Sequence, residues 1–403
     1  MTNKDYIGLI KTKNKKKIFY LCGMEKKIFM LAVALTTLMP FSVLASENDD
    51  EAFLDTTYKT LQDVILPKAK WKRSDIASIP KFGGYVIGSY KYDNQSGQHG
   101  GDGFNLRLAR VYVDGTIMND FKYRVQMELN GSPHIKDAFI AWSHWKELEI
   151  KIGQYKRCFT FENPYNPWDV GVGDYSQLAK KFSGFGDRVG ETSMGGRDLG
   201  LQIQGDLFKS RHDGHRQLHY TLGVFNGQGI NRKDANRRKD VIGNLQWMPI
   251  KGLWIGAFGW IGNWKSPEGL TLDRKRYSFG VKYENPDNNW SARAEYARSH
   301  GHKASDYVAA TEEQPAYWKG GTKADAWYVT VGVPVWRWIK CYVKYDAYRD
   351  YATNESMHTI YSLSTNLQPH KNLMLQLQYN YHNDKNSADQ HYHQFWVQTY
   401  FRF

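Results

Sequence analysis

The feature that most constrains this chain is a repeated alternation of apolar and polar residues between Phe82 and Phe403. In the segment FKYRVQMELN, residues 121–130, every odd-numbered residue is apolar and every even-numbered residue is polar. Such a period of two is the signature of a β-strand with one apolar and one polar face. The pattern recurs in about ten-residue segments separated by turn residues, which predicts an all-β protein.

About sixteen such segments can be recognised. They lie near 83–91, 104–114, 121–130, 135–144, 147–155, 197–207, 216–225, 239–248, 252–262, 275–284, 290–299, 325–334, 337–347, 357–367, 371–382 and 390–403. An even number of about this size is typical of a bacterial transmembrane β-barrel with a water-filled lumen. The mean hydropathy of −0.63 excludes a bundle of transmembrane helices. It allows a barrel, because the polar face of each strand offsets the apolar one.

The connections between these segments tend to alternate between short and long. Short turns at one rim and long loops at the other are typical of outer-membrane barrels, and this order places both termini on the periplasmic side. The longest connection, 156–196, is the third loop at the long-loop rim, after Tyr92–Gly103 and the exceptionally short Gly131–Pro133. It is rich in aromatic residues, glycine and proline, so a structured loop is favoured over a disordered one. We expect it to fold inward and narrow the channel.

The first 45 residues resemble a secretory signal region. Lys26 and Lys27 precede a short apolar run, and Val43-Leu44-Ala45 resembles a cleavage site, so we expect a start at Met24 and cleavage after Ala45. This region holds eight lysines and two acidic residues, which leaves 46 basic and 39 acidic residues and a net charge of +7. Export and so mild a charge argue against nucleic-acid binding.

Residues 46–81 lack the strand pattern. The spacing of Leu54, Tyr58, Leu61 and Ile65 predicts a short periplasmic helix that contacts its copies in an oligomer. A loosely packed periplasmic tail is an equally valid interpretation, because two heptads are marginal alone. We therefore divide the chain into a signal region at 1–45, a periplasmic segment at 46–81 and a barrel at 82–403.

The last segment, HYHQFWVQTYFRF, ends in phenylalanine. Together with a signal region and repeated amphipathic strands, such an ending indicates recognition by the barrel assembly machinery. The residues expected to form this assembly signal are Phe395, Val397, Phe401 and Phe403.

Three stretches, 104–129, 136–142 and 148–163, resemble the phosphate-selective porins O and P. The matching motif residues are Arg107, Arg110, Gly115, Gly153, Gln154, Lys156, Phe159 and Glu162. The resemblance implies a homotrimeric porin of sixteen strands with an inward third loop and an anion-preferring channel. It implies passive diffusion across the outer membrane of a Gram-negative bacterium, without a cofactor, a metal or catalytic residues. It leaves open whether phosphate is the solute.

Selectivity in a pore arises from the charges that line it. Strand parity predicts that the lumen receives the basic residues Arg110, Lys122, Arg124, Lys151, Arg276, Lys282, Arg293, Lys340 and Lys344. By the same parity it receives the acidic residues Glu128, Glu149, Glu284, Glu295 and Asp346. We expect Lys156 and Arg157, at the start of the long loop, to join this anion path, whereas Lys180, Lys181 and Arg188 are weaker candidates. Six tryptophans are expected to form girdles at the membrane interfaces: Trp142, Trp145, Trp254, Trp260, Trp336 and Trp338.

Three other functions fit parts of this sequence. A general or sugar-permeable porin fits the same pattern without phosphate selectivity. A barrel enzyme would need a nucleophile beside a base, but neighbours such as Ser143 and His144 point to opposite faces of a strand. A secreted glycan-binding β-protein would use the many Trp and Tyr residues, but the terminal Phe strand argues against it. The partners expected are outer-membrane lipid, small anionic solutes, other copies of the chain and the barrel assembly machinery.

Overall fold

A computed structural model describes residues 77–95, 102–191, 195–285 and 287–403. The signal region and the helix expected around Leu54 to Ile65 lie outside these ranges. Within the described ranges, no helix is long and apolar enough to cross a bilayer.

Eighteen strands are present among the described residues. They are β1 (Lys81–Asp93), β2 (Gly103–Ile117), β3 (Phe121–Glu128), β4 (His134–Trp145), β5 (Leu148–Lys156), β6 (Arg197–Lys209), β7 (Arg216–Phe225), β8 (Asp240–Ile250), β9 (Leu253–Lys265), β10 (Thr271–Glu284), β11 (Ser291–His300), β12 (Tyr307–Val308), β13 (Tyr317–Trp318), β14 (Lys323–Trp336), β15 (Ile339–Arg349), β16 (Met357–His370), β17 (Leu373–Asp384) and β18 (His391–Arg402). The helix α1 spans Gln177–Phe182, and short 3₁₀ turns lie at Ala304–Asp306, Asp350–Ala352 and Asn354–Ser356.

Sixteen of these strands form one closed antiparallel barrel, and β12 and β13 form a separate small hairpin in a loop. Each barrel strand pairs with its neighbours in the chain, and β1 pairs with β18, from Tyr85 opposite Arg402 to Asp93 opposite Gln394. Closure leaves no strand edge with unpaired backbone groups. The prediction of a barrel of about sixteen strands is confirmed.

The two faces of each strand differ as the alternation predicts. On β3, Val125 points outward with 44% of its surface exposed, whereas Gln126 points into the barrel with 3% exposed. The outer face carries exposed leucine, isoleucine, valine and aromatic side chains around the barrel. An apolar belt of this kind suits contact with lipid acyl chains.

Strand β9 shows where the assignment of tryptophans to interface girdles is wrong. Ile255 and Ile261 are its exposed outward residues, so Trp254 and Trp260 point into the barrel. Trp260 has no exposed surface. The reason is that the long loop covers this inner wall, which lets aromatic side chains pack there instead of facing lipid.

Two neighbouring substitutions on β7 test these faces. Leu222→Lys places a charge on the lipid side and should lower the free energy of unfolding by about 2–4 kcal/mol. Thr221→Lys places the same charge in a cavity inside the barrel and should cost clearly less. Urea unfolding of both variants in lipid vesicles measures the difference. Equal losses would contradict the assignment of the two faces.

Candidate functional site

The lumen is occupied by the described part of the segment that joins β5 to β6, residues 157–191, 195 and 196, which we call L3. Its helix α1 is capped by Ser176, whose hydroxyl accepts a hydrogen bond from the Ala179 N–H at 3.1 Å. Leu178 and Phe182 on this helix are fully buried. They pack with Phe159 against inward side chains of the barrel wall. The predicted inward fold of the third loop is confirmed.

A glycine segment of L3 docks on the inner wall of β16–β18. The Gly171 carbonyl accepts hydrogen bonds from Asn366 at 2.9 Å and Gln376 at 3.0 Å. The Gly173 N–H donates to Gln378, and the Gly173 carbonyl accepts a hydrogen bond from Arg107. A Cβ at Gly173 would meet the terminal amide groups of Gln376, Gln378 and Gln398, so these side chains would have to move. Glycine lets the loop backbone approach these amides directly.

Carboxylates of the wall hold other parts of L3 through its backbone. Glu295 accepts a hydrogen bond from the Phe161 N–H at 3.2 Å, and Asp346 accepts one from the Gln177 N–H at 2.9 Å. Both acids were expected in the lumen, and the structure places them inside the barrel. There they satisfy loop N–H groups that would otherwise be buried without a partner.

The end of L3 is held by three arginines that surround one indole, a group we call the Trp260 cluster. The guanidinium carbons of Arg157, Arg274 and Arg276 lie 4.9, 4.9 and 4.8 Å from the Trp260 ring centre. Four carboxylates pair with them, from Asp187, Glu191, Asp198 and Asp240. Buried charges are tolerated only when paired in this way, so the cluster fixes L3 to β6, β8, β9 and β10.

Two L3 carboxylates in this cluster titrate differently. Burial raises the pKa of Glu191, and the opposing effect of Arg157 and Arg274 does not overcome it. Burial also acts to raise the pKa of Asp187, but the Arg276 guanidinium outweighs burial and lowers that pKa. Of these two carboxylates, Asp187, which pairs with Arg276, therefore stays ionised to lower pH than Glu191.

The structure places several predicted channel cations in ion pairs with little contact with water. Arg157 and Arg276 belong to the Trp260 cluster. Arg110 lies 2.6 Å from Glu128, Arg293 lies 3.7 Å from Glu162, and Lys344 lies 3.1 Å from Asp346. Most of their charge is thus compensated locally by carboxylates of the wall and of L3.

The other predicted cations are more open. Lys122 donates a hydrogen bond to Ser143 at 2.8 Å, and Arg124 binds Asp114 with two hydrogen bonds of 2.7 Å. Lys151 lies 3.4 Å from Glu149, and Lys282 lies 3.7 Å from Glu284. The Lys340 ammonium lies 3.4 Å from the Asn289 side-chain oxygen. The Lys156 ammonium, at the base of L3, donates to the Tyr165 carbonyl and lies 3.4 Å from the Tyr175 hydroxyl.

Sequence parity missed two inward-pointing basic residues, Lys136 on β4 and Arg197 at the start of β6. Lys136 is the extra residue of a register shift between β3 and β4, where Gln126 faces Asp137 and Met127 faces Ile135. Such a bulge turns Lys136 inward, 3.3 Å from Glu128. Arg197, at the start of β6, forms two 2.8 Å hydrogen bonds with Asp137. Both side chains can be placed only from contacts between different strands, which the alternation within a single strand does not contain.

The three weaker loop candidates have different surroundings. Lys180 pairs with Asp174 on L3 and remains partly exposed. Burial lowers the pKa of Lys181. The Arg188 side chain is fully enclosed and joins L3 to later loops, through the Gly301 carbonyl, the Gly321 carbonyl at 2.9 Å and Asp350 at 3.0 Å.

Two cavities lie between L3 and the barrel end that carries the short turns. The first, of about 590 Å³, we call the first vestibule; its charged lining residues are Arg124, Lys151, Lys156, Arg157, Arg197, Lys282, Asp137 and Glu284. The second, of about 540 Å³, we call the second vestibule; its charged lining residues are Arg337, Lys340, Lys371, Arg402, Asp169 and Glu284. Basic residues thus outnumber acidic ones in both.

The C-terminal residues of the expected assembly signal lie on the outer face of β18. Phe395, Val397, Phe401 and Phe403 are all substantially exposed, and Phe403 contacts Phe82 across the closure of the barrel. No group of three or more His, Cys, Asp or Glu suited to a metal ion occurs among the described residues.

Residues 81–252 match the family of phosphate-selective porins O and P. The matched residues comprise β1 to β8 and the turn that follows β8. The resemblance found in the sequence is thereby confirmed. No curated protein matches the chain at a significant level.

Solved structures with a similar fold are outer-membrane porins and channels. An anion-selective porin from Comamonas acidovorans is 14% identical with a TM-score of 0.60, covering 81% of this chain and 100% of that one. The outer-membrane channel DcaP of Acinetobacter baumannii is 13% identical with a TM-score of 0.56, covering 83% and 100%. Salmonella typhi OmpF in complex with daunomycin is 12% identical with a TM-score of 0.56, covering 80% and 97%. At these identities the likeness establishes the porin fold. Together with the family match, it confirms location in the outer membrane of a Gram-negative bacterium.

A substitution at Gly173 tests the docking of L3. Gly173→Val should push aside the terminal amides of Gln376, Gln378 and Gln398, weaken the docking of this segment and so change single-channel conductance, because its Cβ would occupy the present positions of those amides. Gly186→Val is the matched control, since a Cβ at Gly186 meets no atom within 4 Å. Unchanged conductance in a folded Gly173→Val barrel would contradict the docking.

Removal of one carboxylate tests the Trp260 cluster. Asp187→Asn leaves the Arg276 guanidinium buried without its partner charge and should lower the free energy of unfolding by about 3–5 kcal/mol. Asp287→Asn, which removes an exposed carboxylate 3.9 Å from Lys251, should change it little. Denaturant titration of both variants measures the contrast, and a loss below 1 kcal/mol for Asp187→Asn would refute the structural role of the pair.

Proposed function

We propose that this outer-membrane porin, whose residues 81–252 match the phosphate-selective porins O and P, lets small anions diffuse passively through its lumen without covalent chemistry. The observation that carries the proposal is the charge of the two vestibules. Six basic and two acidic residues line the first, where Arg157 is paired within the Trp260 cluster and the other five basic residues still outnumber the acids. Four Arg or Lys and two acidic residues line the second. A low-dielectric wall around such charges concentrates the field on passing ions.

The predicted path residues divide into two proposed roles. Lys122, Arg124, Lys151, Lys156, Lys282 and Lys340 are proposed to face the permeating anion. Arg110, Arg157, Arg276, Arg293 and Lys344 are proposed to hold L3 and the wall in place around that path, because their guanidinium or ammonium groups are buried beside carboxylates.

Two proposals for the permeating anion are supported by different observations. The family match supports phosphate or polyphosphate. The pairing of nearly every lumen arginine with a carboxylate supports a general anion porin, because a guanidinium held by an acid has fewer donors for a phosphate. Titration of phosphate into a chloride current separates the two proposals: block at low concentration supports a phosphate site.

Further features of the chain remain proposals. We propose the division into a signal region at 1–45, a periplasmic segment at 46–81 and a barrel from 82 to 403. We also propose that the chain assembles as a homotrimer, and that the barrel assembly machinery recognises the outer face of β18. Crosslinking of a Leu61→Cys variant tests whether the helix predicted around Leu54 to Ile65 is an oligomer contact, and the absence of crosslinked trimer would count against it.

Charge reversal in the first vestibule tests anion preference. The double substitution Lys151→Glu and Lys282→Glu should shift the zero-current potential in a salt gradient toward cation preference, because it adds two carboxylates where two ammonium groups lined the path. The matched control is Lys265→Glu, at the exposed end of β9. A potential that moves equally in both variants would show that these two lysines do not set selectivity.

A further inference from the structure

We infer that the first vestibule binds organic anions with a planar aromatic body, such as aromatic carboxylates, better than it binds inorganic phosphate. The inference rests on the proposed function, because it names the class of solute for the same anion path. Its basis is the position of two lysines of this cavity, Lys151 and Lys282, over aromatic rings that line it.

The Lys151 ammonium lies over two rings. It is 5.2 Å from the centre of Phe139 and 5.4 Å from the centre of Tyr155. Its carboxylate neighbour, Glu149, is 3.4 Å away. The nearest environment of this charge is therefore partly aromatic.

The Lys282 ammonium repeats this arrangement on the facing side of the same cavity. It lies 5.6 Å from the ring of Phe161, 5.7 Å from Tyr165 and 5.6 Å from Trp254. Glu284 is 3.7 Å away, farther than a direct hydrogen bond allows. The two lysine ammonium groups thus lie over five aromatic rings in total, and all five rings line the first vestibule.

The cavity has room for a solute with a ring. Its volume of about 590 Å³ lies within the range of small-molecule sites. Phe139, Tyr165 and Trp254 are each only partly buried, so part of each ring is accessible from the cavity that it lines. The remaining wall supplies neutral polar groups, including Gln202, Gln204 and Thr221.

This lining suits an aromatic carboxylate for two reasons. Stacking of its ring on Phe139 or Trp254 removes apolar surface from water, which is favourable, and its carboxylate can reach an ammonium. Phosphate gains nothing from the rings and needs several donors to replace its bound water. The guanidinium forks that would supply them are already engaged, Arg124 by Asp114 and Arg197 by Asp137.

The test measures block of chloride current through single channels of the full protein in planar bilayers, with benzoate and inorganic phosphate as probes. We expect half-block by benzoate at a concentration about tenfold lower than by phosphate, as burial of one ring face predicts. Phe139→Leu and Trp254→Leu should each raise the benzoate concentration for half-block several-fold and leave block by phosphate unchanged.

Matched controls use rings on the lipid side. Phe279→Leu and Trp336→Leu remove exposed outward side chains of the same types and should leave both blocks unchanged. Heat-modifiable migration on a gel verifies that each variant is a folded barrel.

The outcomes separate this inference from the proposed function. Anion preference with equal or stronger block by phosphate would overturn the inference and leave the proposed function intact. Loss of anion preference in the unmodified protein would overturn both. Benzoate block that is insensitive to Phe139→Leu and Trp254→Leu would show that the ring binds elsewhere and would overturn the assignment to this cavity.

Discussion

The structure depends on one constraint: backbone N–H and C=O groups inside a membrane must find their hydrogen bonds within the protein. Sixteen strands meet it by closing β1 on β18, so that the barrel wall is complete. Closure in turn divides every strand into a lipid face and a lumen face. The outer face presents apolar side chains to the lipid, and the inner face can carry charged side chains because it does not contact lipid.

The lumen face creates the second requirement, because L3 brings polar backbone into the interior. The carboxylates of Glu295 and Asp346 on the wall accept hydrogen bonds from loop N–H groups. The side-chain amides of Asn366 and Gln376 donate hydrogen bonds to a loop carbonyl. The Trp260 cluster fixes the far end of L3 through paired charges. Many lumen charges therefore hold the loop, and the proposed anion path uses the charges that remain in the two vestibules.

Alternation along the sequence was sufficient to predict all sixteen barrel strands, because a period of two follows directly from strand geometry. It also predicted the inward direction of Glu128 and Gln126. It failed at Lys136, where a bulge adds a residue, and at Trp260, where a packed loop replaces lipid as the partner of an aromatic face. The ion pairs of Arg276 and Arg157 join segments far apart in the chain, so no local pattern could identify them.

The proposed function depends on the sign of charge selection in the lumen that L3 narrows. The most direct measurement is the zero-current potential of the unmodified protein in a planar bilayer under a potassium chloride gradient. Because basic residues outnumber acidic ones in both vestibules, we expect chloride to permeate more readily than potassium and the potential to have the sign of the chloride equilibrium potential. A potential of the sign set by potassium would contradict the claim.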